Sequence, residues 1–435
     1  MGWLEFYRTV TTPIGLVVIP VIRFFEKRSS DPSAWRQRRG LLPETVLKQA
    51  PFDLWIHGAS VGEMTAVKAI VDQIMKMRPS TKVLVSSFTP AGVLQARKIF
   101  AHNIPTIHLP IDYPKATRLV SSALSPKVFC TVETELWPNL LLSLRETGSR
   151  LLLLNGRISG RSFNSYKRIR FLLKELLGSF DFICTITNAD RERLICLGAK
   201  TKRLKICGNA KYEDMLIKAD PQKAKAVGQK LGLAQIDRPV IVAGSIRANE
   251  YRDVYQASIR LRRDGLEPFI VLVPRHLERT KQIKAYLEAK GETFQLSSQV
   301  LSSRLPTIAY KNCSFLIIDQ IGLLFWLYHY CHVAFVGGSI APLGGQNIME
   351  PAAWGKPVIF GPFVDNFQEA ADLLIQQGGG RMVRNSDDLY LELKRILVNQ
   401  NLRKGAGKMA KKTLEMLGKG AASIQAQKIL EFLCE

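Results

Sequence analysis

Asp53-Leu54-Trp55-Ile56-His57-Gly58-Ala59-Ser60-Val61-Gly62-Glu63 packs a short apolar run, a turn of small residues and the opening of a helix into one stretch. An apolar run with no polar alternation, closed by glycine, suits a strand that is covered on both faces. The succession then repeats. Strand candidates are 53–57, 82–86, 105–108, 127–132, 150–154, 181–186 and 203–207, with helices between them beginning near Gly62, Pro90, Pro114, Trp137, Ser162 and Asn188. A polar, lysine-rich stretch, 218–237, interrupts the rhythm, which restarts at Arg238 with strands at 238–243, 268–273, 315–318, 333–336, 357–360 and 381–383. Such alternation implies parallel sheets sandwiched by helices. The expectation is α/β: two doubly wound domains facing each other across a cleft, at 29–217 and 238–435, joined by a linker at 218–237. In such sheets ligands sit at the carboxyl ends of the strands, so chemistry is sought in the loops that follow them.

The composition sets bounds on the rest. At 435 residues, 46% hydrophobic and 23% charged, the chain has room for two cores and no long disordered tail. Lysine and arginine number 61 against 37 acidic residues, a net charge of +24 that favours polyanionic partners. Six positive side chains and no negative one fall between Arg157 and Lys174; the run reads equally as an anion-facing surface or a solvated helix face. Seven scattered cysteines without a CxxC pair point away from a disulfide or zinc framework and towards a reducing compartment. Tyr328-His329-Tyr330-Cys331-His332 lacks a third ligand nearby and reads as packing, so no metal site is expected. Residues 1–28 are apolar from Val10 to Ile22 apart from two threonines, and Arg23, Lys27 and Arg28 follow. The run is short for a spanning helix, and charges after it keep the remainder of the chain in the cytoplasm. A shallow or single-pass anchor is expected there.

Several strand-end loops carry candidate groups. Glu63, in a first helical turn near free N–H groups, is placed to stay ionised and act as a base, or simply to cap its helix. Glu133-Thr134-Glu135-Leu136-Trp137-Pro138-Asn139 sets two carboxylates at the end of the fourth strand, or opens a helix with acidic residues. Asn155-Gly156-Arg157-Ile158-Ser159 follows the fifth, and Gly208-Asn209-Ala210-Lys211 closes the half; Lys211 can neutralise a carboxylate or phosphate, or be solvated surface. In the second half Pro274 and Arg275 end a strand with a guanidinium suited to phosphate. Gly337-Gly338-Ser339 and the run from Gly344 through Asn347, Ile348, Met349 and Glu350 to Pro357 can present backbone N–H groups to an anion, with Glu350 set to bind a ribose diol.

Taken together, the segments at 58–63, 133–140, 155–163, 273–276 and 344–358 resemble the 3-deoxy-D-manno-octulosonic acid (Kdo) transferases of lipopolysaccharide synthesis, in order and over nearly the whole chain. The resemblance implies two Rossmann-like domains in a GT-B arrangement behind an N-terminal membrane-anchoring segment. It further implies inverting transfer of Kdo from CMP-Kdo to a hydroxyl of a lipid A precursor, one or more times, on the cytoplasmic face of the inner membrane. Glu63 would be the base, with Glu133 and Lys211 steadying the transition state. Pro274, Arg275, Ile321, Gly322, Leu323, Asn347, Ile348, Met349 and Glu350 would hold CMP, and neither a metal nor another cofactor is implied. Two positions depart from the family's usual pattern: Gln346 stands for a histidine and Leu323 for a glutamate. The expected partners are CMP-Kdo, the lipid A precursor and anionic inner-membrane lipid. A GT-B enzyme acting on a UDP-sugar is the alternative. A nucleic-acid-binding protein is suggested by charge alone, and no motif for nucleic acid accompanies it.

Overall fold

All four residues of the first strand, Leu54 to His57, are buried. A strand covered on both faces pairs in parallel and returns the chain through a helix. The computed structural model describes residues 2–29, 31–100, 103–302, 310, 313–365 and 367–434. The chain divides into two compact units, one formed by Met1–Asp214 with Leu417–Glu435 and the other by Met215–Met416.

In the first unit β1 (Leu54–His57), β2 (Val83–Ser87), β3 (Thr106–His108), β4 (Val128–Val132), β5 (Arg150–Gly156), β6 (Phe182–Thr185) and β7 (Leu204–Ile206) form one sheet. Its order is β3-β2-β1-β4-β5-β6-β7, with every pairing parallel. Alternate side chains divide between two cores: Trp55, Leu84, Phe129 and Leu151 face one layer of helices, Ile56, Val85, Val128 and Leu152 the other. The winding reverses between β1 and β4, so the loops leaving these two strands part in opposite directions and open a crevice at their carboxyl ends.

The second unit repeats the plan. Its strands are β8 (Val240–Ile246), β9 (Phe269–Pro274), β10 (Phe294–Leu296), β11 (Phe315–Ile317), β12 (Val333–Val336), β13 (Val358–Phe360) and β14 (Gly380–Met382), in the order β10-β11-β9-β8-β12-β13-β14. Its reversal falls between β8 and β12. There Glu250, only 2% exposed, bridges the two departing loops. Its carboxylate accepts from the N–H groups of Arg247 (2.8 Å), Gly338 (2.6 Å), Ser339 (2.9 Å) and Ile340 (3.0 Å). Gly337 must be glycine for this closure, since a Cβ there would lie 2.5 Å from the Ile246 backbone. The Gly337-Gly338-Ser339 turn, expected to cradle a ligand anion, thus spends its N–H groups on an internal carboxylate.

Both sheets break register once near a strand's carboxyl end, β5 between Leu153 and Gly156 and β8 between Ala243 and Ile246. Each bulge contains a non-glycine residue in the left-handed region, Asn155 at φ +51° and Ser245 at φ +53°.

The domain limits differ from those expected. Residues 218–237 form no free linker: the helix Pro221–Lys230 packs into the second unit, Gly228 against the Tyr330 ring, and Leu231 and Leu233 enter its core. Nor does the tail stay with the second unit. The helix Ala421–Cys434 returns to the first and buries Ala422, Ala426 and Ile429 in its core. Periodicity shows that a helix has an apolar face but not which core receives it.

The N-terminal helix Trp3–Arg28 also packs on the first unit. Tyr7 donates to Asp112 (3.2 Å), Asn139 to Thr11 (3.1 Å), and Gly15 lies against the Tyr113 ring. Its other face leaves Trp3, Phe6, Val10, Ile14, Val17, Val21 and Phe24 exposed, an apolar stripe at helical spacing. Among the described residues no single helix is long and apolar enough to cross a membrane; Trp3–Gly15 and Val17–Arg28, bent by 52°, reach that length and composition only together. Pro20 lacks the N–H that would bond the carbonyl four residues earlier, at the bend.

Replacing Glu250 by alanine leaves four buried or partly buried N–H groups without their acceptor. Glu250→Ala is expected to lower stability by on the order of 3–5 kcal/mol, and Glu250→Gln by less. Urea unfolding followed by circular dichroism checks the ranking.

Candidate functional site

The β1–β4 crevice of the first unit gathers three carboxylates. Glu63 lies in the first turn of the helix Val61–Met77, brought back over the end of β1. It is 8% exposed, and its carboxylate accepts from the Ala59 N–H (2.6 Å) and the Ser60 hydroxyl (2.8 Å). Burial, then the charge of Glu133, and to a smaller extent that of Glu135, push its pKa up to about 7 against the two hydrogen bonds. The carboxylate expected to stay ionised is therefore poised at half-ionisation near neutral pH. This is the condition in which a group can both take and release a proton.

Glu133 leaves β4 in the left-handed region, at φ +61°, a conformation that costs a non-glycine residue strain. Its N–H donates to the Leu154 carbonyl of β5 (2.9 Å), and its side chain pairs with the Lys211 ammonium. Glu135 is raised as well, by burial first, with the Trp137 side chain opposing and Glu133 adding to the rise. Lys211 opens the helix Ala210–Lys218, and its ammonium lies 4.0 Å from where a Cβ on Gly62 would stand. The structure thus gathers all three residues expected to be catalytic, Glu63, Glu133 and Lys211, at one switch point.

In the second unit Arg275 follows β9, exposed, its N–H donating to the Ile246 carbonyl (3.0 Å), while Pro274 is buried as the last residue of that strand. Glu350 stands in the first turn of the helix Met349–Ala353. Asn347 caps that helix from the Met349 N–H (3.2 Å) and donates to Glu350 (3.4 Å). Burial raises the Glu350 pKa to about 7, against the Asn347 hydrogen bond and the charges of Arg275 and Lys218. Ile348 and Met349 are buried under the helix start. Ile321 is 88% exposed, and Gly322 beside it lies at φ +93°. Leu323 precedes the short helix Leu324–Leu327. The loop holding them is tied down by Asp319, whose carboxylate accepts from the Ser297 hydroxyl (2.6 Å) and the Ser298 N–H (2.9 Å).

Gln346 donates to the neighbouring Gly345 carbonyl (3.1 Å). His332 accepts from the Val240 N–H (3.0 Å), and His329 packs on Trp354, so this stretch is packing. No group of three His, Cys, Asp or Glu side chains among the described residues is arranged to hold a metal ion. Glu250 was missed in the sequence. Its signal was a first-turn glutamate after the first strand of its unit, the same signal that singled out Glu63.

A carboxyl whose folded pKa lies above its unfolded value keeps its proton more tightly when folded. For Glu63 the cost is absent below about pH 4.5, grows through the range up to about 7 and is complete above it. Glu63→Gln is therefore expected to stabilise the protein at pH 8 by on the order of 3 kcal/mol and to leave it nearly unchanged at pH 5. Glu350→Gln should act in the same direction. Calorimetric Tm values at the two pH values check both, and a lower Tm at pH 8 would contradict them.

Comparisons with known proteins bear on the family and the fold. The family described as 3-deoxy-D-manno-octulosonic-acid transferase (kdotransferase) matches residues 33–214. A bifunctional glycosyltransferase/methyltransferase of Fusobacterium nucleatum is 32% identical over 350 residues, 80% of this chain and 53% of that protein, so the chain spans about half that relative's length. The 3-deoxy-D-manno-octulosonic acid transferase of Haemophilus influenzae is 30% identical over 349 residues, 80% of each chain. A UDP-GlcNAc 2-epimerase from Neisseria meningitidis, solved bound to UDP-GlcNAc, covers 87% of this chain and 99% of its own with a TM-score of 0.60 at 14% identity, a likeness of fold alone. With two seven-stranded parallel α/β units of the GT-B class and this identity over most of its length, the chain belongs to the Kdo transferase family of glycosyltransferases.

Proposed function

We propose that the protein transfers Kdo from CMP-Kdo to a hydroxyl of a lipid A precursor, with inversion at the anomeric carbon, on the cytoplasmic face of the inner membrane. The observation that carries this reading is the half-ionised Glu63 carboxyl beside the Glu133–Lys211 pair at a topological switch point. Glu63 holds its carboxylate on the Ala59 N–H and the Ser60 hydroxyl, and takes the proton of the acceptor hydroxyl as its oxygen bonds to the sugar. Lys211 is the nearby cation, kept in place by Glu133 and available to the sugar carboxylate or to charge that develops during transfer. In the second unit Arg275 meets the departing CMP phosphate and Glu350 the ribose diol, with the N–H groups at the start of the helix Met349–Ala353 beside them. No metal is assigned a part.

The membrane reading rests on the first unit. The exposed stripe of the helix Trp3–Arg28 continues at Phe171, which contacts Trp3 (4.5 Å) and stands, with Ile169, among the exposed Lys167, Arg168, Arg170 and Lys174. Apolar side chains framed by basic ones fit the surface of an anionic leaflet, where each positive charge contributes about 1 kcal/mol. A lipid A precursor brings phosphates to the same surface.

Incubation with a CMP-Kdo-generating system and tetra-acylated lipid A precursor, followed by mass spectrometry, should show acceptor heavier by one or more Kdo residues. An unchanged acceptor, or transfer from a UDP-sugar instead, would overturn the assignment. Glu63→Gln is expected to cut kcat by about 10²–10⁴-fold while CMP binding persists. For the unaltered protein kcat should rise with pH along a limb centred near 7, because the proposed base works only when ionised.

A further inference from the structure

The left-handed bulge residue of β5 is also the meeting point of three separate parts of the first unit. Asn155 is fully buried at φ +51°. A non-glycine residue holds that conformation only where its surroundings over-determine it. Its side-chain oxygen accepts the Ala210 N–H (2.9 Å), and its amide donates to Asn209 (3.2 Å), whose oxygen accepts the Lys211 N–H (3.0 Å). The backbone that aims Lys211 at Glu133 is therefore set by Asn155. The remaining tie on Asn155 comes from 270 residues away: its backbone N–H donates to the Gln425 side-chain oxygen (2.9 Å). Gln425 lies on the returning helix Ala421–Cys434. That helix is itself clamped to the same segment, by Glu213 accepting the Ala422 N–H (2.5 Å), while the Leu417 carbonyl just before it accepts the Asn209 N–H (2.7 Å).

Gln425 is wholly buried, yet its own side-chain NH₂ finds no hydrogen-bond partner among the described residues. Leaving a buried donor unpaired costs on the order of 1–3 kcal/mol, so a residue kept for packing alone would be better apolar. What glutamine supplies there is an acceptor at one point. We propose that Gln425 is a positioning residue for the Glu63–Glu133–Lys211 site, acting through Asn155 and Asn209 and touching no substrate. The proposal rests on the reading of that site as the place of transfer.

Gln425→Leu removes the acceptor at similar volume, and Gln425→Asn, one methylene shorter, withdraws it more gently should the leucine variant fold poorly. Either is expected to lower kcat by about ten- to a hundredfold with the donor KM within about twofold. The loss should not add to that of Asn155→Gly in the double variant, since the two act in series. A second readout needs no sugar donor. As Lys211 loosens from Glu133, the unbalanced Glu133 charge should move the titration of Glu63 to higher pH, followed by ¹³C NMR of glutamate-labelled protein. An unmoved Glu63 titration, or losses that simply add, would overturn the positioning role. A shifted titration in a protein that transfers no Kdo would uphold it and overturn only the reaction assigned to the site.

Discussion

Three carboxylates crowd the end of one pair of strands, and the Lys211 ammonium against Glu133 is what makes that crowding tolerable. Burial and the charge of Glu133 push both Glu63 and Glu135 up, and the Lys211 ammonium stands against that charge. With it, Glu133 carries the pairing and Glu63 is left at the edge of ionisation. The local backbone serves that contact: the left-handed Glu133, the bulge at Asn155, and the tail helix that closes over it. Such strain and burial oppose stability, and they are concentrated at one switch point.

The two units make opposite use of a glutamate in the same place. Glu63 and Glu250 each open the helix that follows the first strand of a switch point. Glu250 accepts from four backbone N–H groups and locks two loops together. Glu63 has one backbone N–H, one hydroxyl and two acidic neighbours, which leaves its proton negotiable. Hydrogen-bond supply and neighbouring charge separate the two carboxylates, and neither is visible in local sequence.

That difference also marks how much could be read in advance. The parallel strands were legible because burial on both faces forces uninterrupted apolar runs, as in Leu151 to Leu154, and most strands lie within a residue or two of expectation. Short Phe294–Leu296 escaped because three partly buried residues at a sheet edge leave no such run. Glu63, Glu133 and Lys211 were legible as chemistry-bearing types at strand ends, where the fold concentrates ligands. The glycine turn at 337–339 was misread: the residue that consumes its N–H groups stands 88 positions away from Gly338. The pathway of the tail was likewise hidden, since the apolar face of 421–434 fits either core by pattern alone.

The excursion of the chain through a whole second unit before the helix Ala421–Cys434 returns to the first has a bearing on biosynthesis. A ribosome delivers Asn155 and Lys211 long before Gln425. Until the helix Ala421–Cys434 has emerged, the first core lacks Ala422, Ala426 and Ile429 and the bulge lacks its acceptor. A nascent chain that has emerged only as far as Lys211 would therefore lack both the packing and the acceptor that hold the Asn155 bulge, and they would arrive only with that helix.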